Sequence, residues 1–544
     1  MKPEKIDDPH PLMLTPVLEV LFKHCDFKTL KTVRNVCKVW LTESSLAFNR
    51  SSLINFFNMY PDTYLAIIKS IKDGSTFLPI NVALTLSPYG ESDSYRNVCP
   101  WHVCEEYIFP FGVSIESLKF YAWDSVSGRL NAALFGQILL TPCRLKSLDI
   151  SLVPKVVSRC PLFPRPWNLQ PPLRFLTTLV MYGKLECTRE FLHNFLSAMP
   201  NVNNITVNCC SINFLDMFTS ALYEIGLRNV RHLKLNFVQV FNDSHMAQIE
   251  KANLQLKTLH VAQRSVIRKF HAYEHLLAQV APTLEDAKLT CCTRPTNHEQ
   301  YITIPIMPKL KVLRLQCWGI LGLWNFEFIN FMPSLETLVM ERRGLFAPIL
   351  HPPDQWHCFT EENEIKLHEK LKNLTLPSIP LLFLHENSLR HILLRFSFLN
   401  KLTLSANDVC LECVFTCSPQ LEELTIAEYS RITDDGITGL VSGFQQLDET
   451  GSGESSTYDC NVKAGLTALQ KLKKLEIDGF WGKVTDFSIK HGICHLPKLE
   501  SVMLRGCKIS DWSIRALSSI QLTVVGHDSL HTFEPEPMDE PIYL

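Results

Sequence analysis

The feature that most constrains this chain is a short pattern, apolar-x-x-apolar-x-apolar, that returns through most of its length. Clear copies are Leu145/Leu148/Ile150, Leu176/Leu179/Met181, Val230/Leu233/Leu235, Leu256/Leu259/Val261, Leu310/Leu313/Leu315, Leu335/Leu338/Met340, Leu371/Leu374/Leu376, Leu421/Leu424/Ile426 and Leu472/Leu475/Ile477. Weaker copies are Ile115/Leu118/Phe120, Val202/Ile205/Val207, Leu284/Ala287/Leu289, Leu399/Leu402/Leu404 and Leu499/Val502/Leu504. About fourteen copies result, and most start about 25 to 31 residues after the one before. The last two apolar positions of each copy lie two residues apart, so they point to one side of a short strand while the residue between them points away. Stacked units then pair their strands into a parallel sheet, and the rest of each period is a return limb long enough for a helix.

This spacing resembles the leucine-rich repeat. The resemblance implies an α/β fold: a curved solenoid with a parallel concave sheet and a helical convex side. The ninth position carries Cys210, Cys292 and Cys507 in three units and Asn407 in a fourth, where that repeat expects a small buried residue leaving the strand. The limbs are similar to the cysteine-containing subclass, most clearly at Arg431-Ile432-Thr433-Asp434-Asp435-Gly436-Ile437, with Val484-Thr485-Asp486 and Ile509-Ser510-Asp511 as echoes. In each, an Asp or Thr is the expected cap of the following helix. Two steps are long. Leu335 to Leu371 carries a Pro/His/Trp segment at 348–359, and Leu421 to Leu472 contains a Gly/Ser/acidic run at 448–461 that predicts a disordered loop, or one degenerate repeat with a loop attached.

Composition fits a folded chain, with 46% hydrophobic and 20% charged residues. A net charge of -2 gives no single-sign field, so neither nucleic acid nor a membrane surface is an expected partner. No secretory leader is visible, and the most apolar stretch, around 379–399, is broken by His385, Glu386, Asn387, Arg390, His391 and Arg395. The nineteen cysteines read as reduced thiols packed as small hydrophobes, which points to a cytoplasmic or nuclear compartment.

The first fifty residues do not follow the repeat. Leu14, Val17, Leu18, Leu21 and Phe22 fall at helical spacing, as do Leu30, Val33, Cys37, Trp40 and Leu41, with Asp26 placed as an N-cap between them. So small a module is short of core and would leave apolar surface for a partner to cover. The run Leu14-Thr15-Pro16-Val17-Leu18-Glu19-Val20-Leu21-Phe22, then Cys25-Asp26-Phe27-Lys28-Thr29-Leu30, then Val36-Cys37-Lys38-Val39-Trp40 resembles an F-box. Thr15 separates the opening Leu and Pro, and Phe48 stands where a Trp is usual. The resemblance implies a substrate receptor of an SCF ubiquitin ligase, docking on the Skp adaptor and through it on a cullin and a RING subunit. It assigns adaptor binding to Leu14, Pro16, Leu18, Leu21, Phe22, Leu30, Val33, Val36, Cys37 and Trp40. The expected layout is an F-box over 10–50, a connecting region with a capping strand over 51–114, a solenoid over 115–525 interrupted near 446–461, and a mobile acidic tail over 526–544.

No phosphate loop, nucleophile elbow or zincin helix is present in the sequence, and an extended solenoid offers a broad face rather than a dry pocket. The chain is therefore expected to be non-catalytic, with no cofactor and no metal. Cys99/His102/Cys104 and Cys410/Cys413/Cys417 are the nearest metal-like clusters, but neither has a second half at zinc spacing, and the latter trio has the spacing of one buried helix face. A scaffold outside any ligase, holding a partner stably, is the alternative; an enzyme or metal protein built on those clusters is a third. The position between the last two apolar residues of successive repeats gives Lys234, His260, Lys288 and Arg314, whereas late repeats give Glu476 and nearby Asp478. With neighbouring strands about 4.8 Å apart, the four would run over roughly 15 Å and suit an acidic or phosphorylated segment of a protein substrate.

Overall fold

The computed structural model describes residues 15–51, 53–55, 66–70, 73, 81–86, 108, 110, 112–122, 139, 141–151, 173–182, 189–208, 211–238, 241–263, 271–292, 304–318, 327–342, 367–376, 386–427, 430–440, 464–478, 483–517 and 521–525. Leu14, Cys99, His102, Cys104, Cys210, the 348–359 and 448–461 segments and the 526–544 tail lie outside these residues. The chain divides into two units, Met1–Ser265 and Val266–Leu544.

The first unit opens with three helices, α1 (Thr15–Lys23), α2 (Phe27–Val33) and α3 (Lys38–Ser51). Eight strands follow: β1 (Leu53–Asn55), β2 (Asn81–Leu86), β3 (Ser117–Ala122), β4 (Ser147–Ser151), β5 (Thr178–Tyr182), β6 (Asn204–Asn208), β7 (His232–Val238) and β8 (Thr258–Gln263). Each pairs in parallel with the next in sequence. Within the connecting region of 51–114, where a capping strand is expected, β1 pairs ahead of β2 through Leu53 opposite Asn81. Among the described return limbs, helices α4 (Arg189–Ser197), α5 (Ile212–Ile225) and α6 (Asp243–Lys251) lie between β5 and β8.

The second unit repeats the plan. It opens with helix α7 (His271–Val280). Strands β9 (Asp286–Cys292), β10 (Val312–Trp318), β11 (Thr337–Arg342), β12 (Asn373–Thr375), β13 (Lys401–Leu404), β14 (Glu423–Ile426), β15 (Lys474–Asp478), β16 (Ser501–Arg505) and β17 (Gln521–Val525) are again parallel and consecutive. Later limbs carry helices α8 (Glu386–Arg395), α9 (Asp408–Cys417), α10 (Asp434–Thr438), α11 (Asp486–His491) and α12 (Asp511–Ala516). Strand β14 pairs directly with β15, so no described strand stands between them.

Strands β3 to β16 each carry one copy of the apolar pattern, and register brings like positions together. In the first unit Leu118, Leu148, Leu179, Ile205, Leu233 and Leu259 form one buried column, and Phe120, Ile150, Met181, Val207, Leu235 and Val261 form another. In the second, Leu313, Leu338, Leu374, Leu402, Leu424, Leu475 and Val502 do the same. Each fully buried Leu contributes on the order of 1.5–3 kcal/mol of transfer free energy, so the columns dominate what holds each stack together. Entry into the sheet is fixed by one repeated device: a single carbonyl of the preceding repeat accepts two successive backbone N–H groups. Glu116 accepts from Lys146 and Ser147, Lys146 from Thr177 and Thr178, and Lys311 from Glu336 and Thr337. The observed class is α/β, a leucine-rich-repeat solenoid in each unit.

Candidate functional site

The helical module is held by a core of three side chains, Leu18, Phe22 and Leu30, with Cys25, Val33, Val39, Trp40 and Ala47 packed around them. Phe22 and Trp40 meet edge to face, with ring centroids 5.6 Å apart. Asp26 caps α2, its Oδ1 accepting from the Thr29 backbone N–H at 2.7 Å, and this bond holds its carboxyl below the usual range. Three of the sequence-assigned docking residues, Leu18, Phe22 and Leu30, are therefore core and not contact surface. Val33, Cys37 and Trp40 are half-buried; Pro16, Leu21 and Val36 are exposed.

What the module leaves outside is an apolar stripe that sequence reasoning did not assign as a whole. Val17, Val20 and Leu21 lie at i, i+3 and i+4 on α1 and are 40%, 59% and 39% exposed. Val36, in the turn before α3, and Leu41, in its first turn, add two more exposed apolar side chains. In a helix with apolar residues on both faces, periodicity alone does not say which face turns inward, although the larger Phe22 was a clue.

The sheet supplies the second surface. Along every described strand of the repeats the residue between two buried positions is turned out, so Lys234 and His260 face one another across β7 and β8, and Lys288 and Arg314 across β9 and β10. All four are half-buried. Each pair belongs to its own unit, so the structure gives two basic pairs. Arg314, one of the four residues expected to face an acidic partner, already holds an anion: its Nη1 donates to Asp286 Oδ1 at 2.7 Å. Beyond β10 the same position is neutral, with Val339, Thr375, Thr403 and Thr425. Farther along, opposite charges pair off: Glu423 takes Lys401 at 2.9 Å and Lys474 at 3.3 Å, and Glu476 takes Arg505 at 3.4 Å.

In the first unit the outward row is aromatic and amide-bearing. Tyr121, Ser151, Tyr182, Asn208 and Asn236 stand on adjacent strands, the Tyr121 hydroxyl donates to Asp149 Oδ2 at 2.8 Å, and Asn236 donates to Asn208 Oδ1 at 3.0 Å. The cysteine trio on α9 turns into the stack instead: Cys410 and Cys413 are buried, and burial pushes the Cys413 thiol up to about 12. That is packing chemistry, far from a reactive thiolate.

Two solved structures share parts of this architecture. A complex of Rad7 and Elc1 from yeast contains a chain 13% identical, aligned over 65% of this chain and 81% of its own at a TM-score of 0.37. A complex of TLR13 with ssRNA13 contains one 11% identical, aligned over 88% of this chain and 52% of its own at a TM-score of 0.34. Neither likeness is close enough to carry an argument about function. No family model matches the chain, and no curated protein matches it. Among the described residues no helix is long and apolar enough to cross a membrane.

Proposed function

We propose that this chain is a non-catalytic substrate receptor of an SCF-type ubiquitin ligase, working in the cytoplasm or nucleus. The helical module docks on the Skp adaptor, which brings a cullin and a RING subunit, and the repeats hold a protein substrate. The observation that carries this reading is the exposed Val17/Val20/Leu21 stripe on a module whose own core is three residues. Apolar surface of that kind on so small a helical unit is stabilised by covering it, and the stripe supports a partner that packs against α1. The receptor forms no bond itself; it raises the effective concentration of substrate lysines near a conjugating enzyme carried by other subunits.

Glutamate at Val17, Val20 and Leu21 together tests the reading. These side chains are exposed, so the variant should melt with the wild type while its co-purification with the Skp adaptor falls to background. Adaptor recovered at the wild-type level would remove the docking assignment. Accumulation of a captured protein after loss of the receptor would separate a ligase role from that of a stable holder.

A further inference from the structure

On the outward sheet face of the first unit, Tyr121 of β3 and Tyr182 of β5 stand on either side of Ser151 of β4. Two strands apart, their backbones are separated by roughly 10 Å. Yet the ring centroids approach to 6.0 Å, edge to face at 65°, so both side chains lean together over the small serine. Asp149 lies on the same strand and face as Ser151, two residues away. One of its oxygens, Oδ2, takes the Tyr121 hydroxyl at 2.8 Å; the other, Oδ1, is sealed from solvent and has no hydrogen-bond partner among the described residues. Burial raises the Asp149 carboxyl, while the Tyr121 bond and the nearby Lys119 charge oppose the rise. Lys119 stands directly across on β3, but no ion pair joins the two. A carboxylate oxygen left in this state costs free energy unless something donates to it.

We infer that Tyr121, Asp149 and Tyr182 form a receptor for a basic side chain, an arginine above all, on an extended segment of the protein partner. Tyrosine faces attract a guanidinium through the ring quadrupole, and the carboxylate supplies the opposite charge. The planar, weakly hydrated guanidinium suits rings and carboxylate together better than a compact ammonium, and it reaches the sealed Asp149 carboxylate by parting the two rings. Ser151 beneath the rings and Asn208 and Asn236 on the strands beside them offer adaptable hydrogen bonding to the rest of the segment, and tyrosine with serine and asparagine is the composition that antibody combining sites favour. The inference rests on the reading that the repeats hold a protein partner, and it assigns these strands of the first unit a basic ligand, opposite in sign to that expected for the Lys/His and Lys/Arg pairs.

The test is a degenerate peptide array probed with the full chain and with three variants, each checked by its melting curve and by adaptor recovery. Wild type should retain peptides enriched in arginine. Asp149→Asn, isosteric and uncharged, should weaken that retention at least about tenfold, and Tyr182→Ala by about three- to tenfold. Lys119→Ala removes a competing charge and should strengthen it about two- to threefold, a change that a merely structural role for the cluster does not produce. Retention of peptides without basic residues, or of basic peptides equally by wild type and Asp149→Asn, would overturn the inference and leave the receptor reading in place. No peptide retained, together with no adaptor recovered, would overturn both.

Discussion

The carboxylate of Asp408 caps the helix of the next repeat: its Oδ1 accepts the Thr433 backbone N–H at 2.8 Å and its Oδ2 accepts the Thr433 hydroxyl at 2.7 Å. The relation recurs one step on, where Asp434 takes the Thr485 N–H at 2.8 Å and its hydroxyl at 2.6 Å, and again where Asp486 takes the Ser510 N–H at 2.8 Å. Each of these acids sits at the first position of a helix and satisfies donors that open the following one, so capping passes between repeats as well as within them, where Asn407 and Thr485 cap their own helices.

This ladder explains a glycine. A Cβ at Gly436 would run into the Asp408 carboxylate, whereas the equivalent places in the next two helices hold Ser488 and Ser513, whose hydroxyls donate to Asp434 and Asp486. Gly436→Ala should destabilise the second unit by about 1–3 kcal/mol, and Asp408→Ala by a similar amount, because each breaks the same cap. The two losses should be clearly less than additive in the double variant, since the carboxylate that the methyl group displaces is then gone. Denaturant melts of the four proteins measure the coupling; strict additivity would mean that the glycine is required for another reason.

Much of the fold could be read from the sequence because the signal is local. Leu233 and Leu235 or Leu424 and Ile426 declare a strand and its buried side within six residues, and stacking follows from repetition. The capping ladder was half legible: Thr433, Thr485 and Ser510 mark helix starts, but they donate to an acid about 25 or 51 residues upstream, a relation that exists only once the repeats stack. The same holds for Arg314, whose charge is plain in sequence and whose pairing with Asp286 depends on the β9 to β10 register. Strand β1 had no pattern to reveal it, being three residues long.

A buried histidine makes the first unit sensitive to acid. His245 is fully buried on α6; its Nδ1 accepts the Asn242 backbone N–H at 3.0 Å in a capping box, and its Nε2 lies 2.6 Å from Asp216 Oδ1 on α5. Desolvation lowers its pKa, and Asp216 only partly restores it. The sign follows: a histidine whose folded value lies below its unfolded one stabilises the fold above about pH 6.5, and that stability is lost progressively as pH falls toward the folded value. A second ring proton must also go to Nδ1, where the Asn242 N–H already points. The stability of the wild type should therefore fall from pH 7.5 to pH 5 more than that of a His245→Gln variant. Parallel slopes for the two proteins would exclude His245 as the source.

The helical module separates a packing residue from a surface residue. Leu30 is buried against Leu18 and Phe22, so Leu30→Ala should cost about 2–5 kcal/mol and release the module's helices. Val36 is 59% exposed, and Val36→Ala should stay within about 0.5 kcal/mol of wild type. Hydrogen exchange over α1 to α3 distinguishes them: equal protection in both variants would contradict the core described above.

The last prediction concerns the pair Arg314 and Asp286, whose side chains are 35% and 30% exposed. A pair this open to water contributes only about 0–1 kcal/mol, so Asp286→Asn should barely move the melting curve. Its effect on an acidic ligand should be larger, because the guanidinium is then no longer neutralised by its neighbour on β9. Lys288, directly across from Arg314, adds a second positive charge to the same spot. A short polyglutamate peptide should bind Asp286→Asn about three- to tenfold more tightly than wild type, and should bind Lys288→Glu with Arg314→Glu least of all. Raising the salt from 0.05 to 0.5 M should erase the differences, since exposed charges are screened within a few ångströms at the higher value. Were Asp286→Asn to bind the peptide no better than wild type, the Asp286 pairing would not be what limits Arg314, and the basic pair on β9 and β10 would lose its claim as the acidic-ligand site.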